Sequence, residues 1–140
     1  MKEIMDFRDC EDHLKKVDKD DEKISSIMKM CKARLKTIPM IKLDEETASV
    51  IAVDYYEVIK ELLVAFLLKN GLKSDNHECL ISFFKETCPQ YDYEARVMHE
   101  LKYYRNRASY DGEFIKMDYV ERNKAEFDHI ISLIFELVNA

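Results

Sequence analysis

Apolar residues recur at helical spacing along most of this chain. The longest series is Ala48, Ile51, Ala52, Tyr55, Val58, Ile59, Leu62, Leu63 and Phe66, reaching Leu67. Asp44 is placed to cap its start, with Glu45 and Glu46 in the first turn, where acids meet the positive end of the helix dipole. Asn70-Gly71 ends it, since both tolerate a left-handed backbone. Such a helix is roughly 35–40 Å long at 1.5 Å per residue. Apolar residues surround much of its second half, which puts it at the centre of the fold.

Shorter series flank it. Ile24, Ile27, Met28, Cys31 and Leu35 precede it, with Asp18 or Asp20 as cap and Pro39 as stop. Residues 3–17 are irregularly amphipathic, and the pattern leaves open whether 3–36 is one helix or two. Downstream, Ser74 is a cap candidate for Leu80, Ile81, Phe83 and Phe84, which end at Pro89. Asp92 is one for a helix carrying Ala95, Val97, Met98, Leu101 and Tyr104. Asp118 and Glu121 resemble a capping box before Val120, Phe127, Ile130, Ile131, Ile134, Leu137 and Val138. There is no strand alternation of useful length and no internal repeat. The expected architecture is all-α, an up-and-down bundle of five or six helices in one domain over residues 1–140.

Composition agrees. The chain has only two glycines and two prolines in 140 residues, too few for a turn-rich all-β fold. At this length a domain buries roughly 70% of its unfolded surface and needs no disulfide or metal staple. Cys10, Cys31, Cys79 and Cys88 form no C-x-x-C pair and lie in apolar helical settings, so reduced core thiols are expected. A zinc set of His77, Cys79, Cys88 and His99 matches no common spacing, so no metal and no cofactor is expected.

The net charge of −6 argues against a general nucleic-acid binder and leaves room only for a local basic site. Lys2, Glu3, Asp6 and Arg8 interrupt the N-terminus before a signal-peptide core forms. No apolar run reaches the ~20 residues of a membrane helix. A soluble, cytoplasmic protein with no membrane association is expected.

The local basic site is found at the end of the fourth helix. Arg105-Asn106-Arg107 is followed by Tyr110-Asp111-Gly112, with Lys102, Tyr103 and Tyr104 just before and Tyr119 after. Arg pairs with phosphate in a planar fork, and aromatic rings stack on unpaired bases. Read from composition alone, the same cluster is a solvated helix end with tyrosines half in the core, since charge runs usually face water.

The order of residues adds to this. YYEVIKELLVAFLLKNGLKSDNHECLISFF, followed by HELKYYRNRASYDG, resembles the HEPN domain family over about residues 45–138. Arg105 matches the family's motif Arg, Asn106 its polar position, and Tyr110 stands where the family has His. The resemblance implies an all-helical homodimer acting on RNA in a toxin–antitoxin or defence system. In that family Arg and His of two subunits converge in a metal-independent RNase. A His works as acid or base near pH 7, whereas an unperturbed Tyr, with a pKa near ~10, is a poor base there.

Two readings stay open. In one, Arg105, Asn106 and Tyr110 line a catalytic or merely binding groove, with Lys102, Arg107 and Tyr104 on the RNA. Glu57 then holds Arg105, and Asp111 either holds Arg107 or simply helps end the helix with Gly112, while Asp54 is a second carboxylate on the central helix. In the other, the domain is a non-catalytic module that partners with a small nucleotidyltransferase or accepts a nucleotide from it on Tyr110. A plain helical oligomerisation domain is the blander possibility. His13, His77, His99 and His129 read as surface or interface residues, with His99 nearest in sequence to the cluster.

Overall fold

The long central helix is α2, Ala48–Lys69, and thirteen of its residues are buried. The computed structural model describes residues 1–140. Around α2 lie α1 (Asp21–Thr37), α3 (His77–Thr87), α4 (Asp92–Asp111) and α5 (Met117–Asn139). Each of the four packs against α2. The fold is therefore an all-α bundle, and 31 buried residues drawn from all five helices form one core cluster. Phe84 and Phe127 are its largest fully buried side chains. No helix is long and apolar enough to cross a membrane.

The N-terminal third divides where the apolar pattern was irregular. A 3₁₀ helix, Phe7–His13, runs into a short strand, β1 (Leu14–Lys16), and α1 starts only at Asp21. Asp20 caps α1, its Oδ1 accepting the Lys23 N–H at 3.0 Å. β1 pairs antiparallel with β2 (Leu72–Ser74), Leu14 opposite Ser74. Three-residue strands are too short to leave an alternating signature, which is why the pattern does not show them.

Several starts move. Asp44 caps a turn, its Oδ1 accepting the Glu46 and Thr47 N–H groups, and α2 proper begins at Ala48. Ser74 lies in β2, and Asn76 caps α3 by accepting the Glu78 N–H. A 3₁₀ turn, Pro89–Tyr91, leads into α4, so Asp92 is its first residue and not its cap. α5 starts at Met117 without a side-chain cap, so Asp118 is inside the helix.

The cysteines also divide. Cys31 and Cys88 are buried free thiols, but Cys10 and Cys79 form a disulfide. The expectation of four reduced thiols fails because the 3₁₀ helix folds back against α3 and brings two cysteines distant in sequence together. Met5 Sδ lies 3.4 Å from Cys10 Sγ and 3.5 Å from Cys79 Sγ. With Cys79 so engaged, the set His77, Cys79, Cys88 and His99 does not assemble.

Candidate functional site

The end of α4 is set by glycine. Gly112 has φ +67°, a left-handed backbone that lets its N–H reach back to the Arg107 carbonyl. A Cβ there would meet nothing within 4 Å, so the constraint is conformational and not steric. The chain then turns back, and the buried Ile115 donates its N–H to Ser49 Oγ at 2.7 Å. This ties the exit of α4 to the start of α2 and aligns the two helices.

Across that seam, Tyr56, Glu57 and Lys60 of α2 face Lys102, Arg105, Asn106 and Tyr110 of α4. Arg105 Nη2 donates to Glu57 Oε1 at 3.0 Å. Its Nη1 donates to Asn106 Oδ1 at 3.3 Å and to Tyr110 Oη at 3.2 Å. The guanidinium lies 5.3 Å from the buried Tyr56 ring and 5.6 Å from the Tyr110 ring. It is thus bracketed by two aromatic faces, a cation–π arrangement strengthened by burial. Its Nε is buried and has no partner.

Glu57 is shared. Its other oxygen accepts from Lys60 Nζ at 2.7 Å, and both side chains are mostly buried. Burial pushes the carboxyl up, but Lys60 and Arg105 outweigh it and hold Glu57 below the usual glutamate value. Burial likewise disfavours the Arg105 charge, and Tyr110 and Glu57 more than offset this. Burial pushes the Tyr56 phenol up to about 12, so this ring is a neutral platform. Lys102 Nζ sits 3.4 Å from Glu78 Oε1. The seam therefore sets three cations, Lys60, Lys102 and Arg105, against three carboxylates, Glu57, Glu61 and Glu78.

Other expected members lie elsewhere. Arg107 donates to Glu113 at 2.7 Å and to Tyr103, and Asp111 is not its partner. The left-handed turn at Gly112 brings Glu113 back over Arg107, with the Glu113 N–H on the Arg107 carbonyl. Asp111 is left exposed as the last helical residue. Tyr104 packs its ring 4.5 Å from Tyr119 of α5, on a different face from Arg105. Asp54 lies beside Arg34 of α1, away from α4, and burial raises its carboxyl.

Two histidines also correct the expectation. His99 is buried, with Nε2 2.6 Å from the Lys2 carbonyl oxygen. The N-terminal segment covers it, which no local pattern could show. His77, exposed at the start of α3, has Lys60, Arg105, Glu57 and Lys102 as its charged neighbours. His77 thus feels the charge of the Arg105 cluster, while His99 shares a hollow with Asn106 and Tyr110. His129 pairs with Glu94 at 3.5 Å. Lys60, a lone cation within an apolar helical stretch, was a further signal in the sequence that could have marked this seam beside Glu57.

Two adjoining hollows of about 530 Å³ each open at the surface here. One is lined by Tyr103, Asn106, Arg107 and Tyr110 with Lys2 and His99. The other is lined by His13, Asp75, Asn76 and His77. Lys102 and Glu78 line both and form the ridge between them. Arg105 lines neither, because Tyr110 and Asn106 occupy its outward edge. An oxyanion reaching Arg105 must displace one of these two from Nη1. No protein-family model, curated protein or solved structure matches this chain.

Proposed function

We propose that this chain is a HEPN-like domain that acts as a homodimer on RNA in a toxin–antitoxin or related defence system. The observation that carries this reading is the Arg105 guanidinium, oriented by Glu57 and Asn106 between two tyrosine rings at the end of α4. A planar cation so prepared suits a phosphodiester, with Tyr110 swinging from Nη1 to stack on an unpaired base. Lys60, Lys102 and Arg105 concentrate cationic groups at this seam of an otherwise acidic body, each free for a phosphate once its carboxylate partner gives way. Where the site is catalytic, Arg105 stabilises charge on the phosphoryl oxygens in the transition state.

The test compares wild type and Arg105→Ala on a single-stranded RNA in EDTA, scoring both cleavage and retention. Sedimentation velocity on the wild type reports the dimer. Loss of RNA retention by at least tenfold in the variant is the expected result. Equal retention by both folded proteins sinks the reading.

A second reading is favoured by one observation: Tyr110 is 74% exposed, with its phenol oxygen beside a guanidinium. Such a hydroxyl suits attack on the α-phosphorus of a nucleoside triphosphate held by a partner nucleotidyltransferase, with pyrophosphate leaving. A mass gain of one nucleotidyl group that Tyr110→Phe abolishes would establish it.

A further inference from the structure

The β1–β2 ladder continues one rung past its last strand pair. The Asp75 N–H donates to the His13 carbonyl at 3.4 Å, so these residues face each other across the chain pair. Their side chains also meet, with His13 Nδ1 2.9 Å from Asp75 Oδ1. Asn76 then caps α3 and makes His77 the first helical residue. Lys102 arrives from α4, with only 12% of its side chain exposed. The hollow that these residues share has no apolar lining. Two imidazoles, one of them oriented by Asp75, and a largely buried ammonium that Glu78 holds at 3.4 Å form a set that can move protons and, once Glu78 gives way, hold an anion without a metal.

We propose that the His13–His77–Lys102 hollow is a phosphodiester-cleaving centre for RNA, with Asp75 positioning His13. The substrate class rests on the reading above; the acid–base groups do not belong to the Arg105 cluster. His77 takes the proton of the ribose 2′-hydroxyl as that oxygen attacks the adjacent phosphorus. The new P–O2′ bond forms and the P–O5′ bond breaks. His13, as imidazolium, gives its Nε2 proton to the leaving 5′-oxygen. The products are a 2′,3′-cyclic phosphate and a 5′-hydroxyl, and solvent resets both rings. Asp75 takes the Nδ1 side of His13, which leaves Nε2 for the leaving group. Lys102 neutralises a non-bridging oxygen in the transition state.

The surroundings fit these roles. Burial and the charges of Lys60 on α2 and Arg105 on α4 hold His77 below the usual histidine value, against the pull of Glu57 and with the help of Lys102. An uncharged imidazole at neutral pH is the form a base requires. The ridge of Lys102 and Glu78 joins this hollow to the one lined by Tyr110 and Asn106. A strand lying over the ridge reaches both.

The experiment incubates the full chain in EDTA with an oligoribonucleotide and with a copy carrying one 2′-deoxy residue. Wild type, His77→Gln, His13→Gln, Asp75→Asn and Arg105→Ala are compared, with melting curves to confirm folding. Expected are cyclic-phosphate ends, no cut at the deoxy position, and a loss of about 10²–10⁴-fold in each histidine variant. Asp75→Asn, which disturbs only orientation, should lose about tenfold, and the rise in rate with pH should vanish in His77→Gln. Cleavage retained in both folded histidine variants but lost in Arg105→Ala overturns this proposal and leaves the Arg105 reading standing. No cleavage by wild type also overturns it, while RNA retention that depends on Arg105 preserves the binding form of that reading. Histidine-dependent cleavage with retention indifferent to Arg105 supports this centre and removes the other.

Discussion

Two seams of the central helix are built from different chemistry. Against α5, α2 sets the Tyr55 ring 5.3 Å from Phe127, within a stripe of α5 that includes Ile130, Ile131 and Ile134, all buried. Two polar contacts cross that seam, Tyr55 Oη donating to Asp128 Oδ1 and, at the far end, Lys69 Nζ to the Leu137 carbonyl, each at 2.9 Å. Against α4 and the start of α3, the same helix presents Tyr56, Glu57 and Lys60 to cations, a carboxylate and an imidazole. The apolar seam gains stability from burial and asks for no orientation. The polar seam loses part of that gain to desolvation and recovers it only through a set of aligned partners. Residues 55 and 56 thus serve opposite ends, one ring filling a core and the other carrying a guanidinium.

The largest effect expected is on the apolar seam. Phe127→Ala removes a fully buried ring that lies 5.3 Å from Tyr55 and 6.1 Å from Tyr119. A loss of about 3–5 kcal/mol in urea denaturation is expected, with little effect on RNA retention below the new midpoint. A loss under about 1 kcal/mol would break the contrast between the seams.

Next comes Glu57→Gln, which leaves two mostly buried cations sharing a neutral amide. A loss of about 1–3 kcal/mol is expected near pH 7. The sign with pH follows from a folded value below the ordinary 4.5. The stabilisation is full above that ordinary value and disappears as pH falls through the lower folded one. The variant should therefore show a flatter loss of stability in acid than wild type. Parallel acid curves for the two proteins would mean that Glu57 is not holding its neighbours in solution.

The smallest effect belongs to Arg107, which lies in the same helix two residues from Arg105. Its pair with Glu113 is half-exposed, so Arg107→Ala should cost less stability than Glu57→Gln in the same urea denaturation. A cost equal to that of Glu57→Gln would mean that the exit loop, and not the seam, anchors α4.

The helices were readable because each repeats its apolar face over many residues, as α2 and α5 do. What could not be read are features set by contacts distant in sequence. His77 meets Arg105 only because α3 begins beside α4, and His13 meets Asp75 only because two three-residue strands pair. The Arg105–Glu57 contact was anticipated, since a carboxylate on the central helix suited a cation on a neighbour. The Arg107–Asp111 pairing was not realised, because the left-handed turn at Gly112 brings Glu113 back onto Arg107, which takes that carboxylate instead.

The Cys10–Cys79 bond, with a sequence separation of 69, also makes the chain a closed ring with two tails. α1 and α2 lie inside the ring, and α4 and α5 hang from it. Trypsin cutting after exposed Lys42 would sever the ring yet release nothing, and a gel without reductant would show one band. The same cut run with reductant would show two. A cut after exposed Lys116 would part α5 from the rest under either condition. Two lanes of a denaturing gel therefore read the covalent topology of this protein directly.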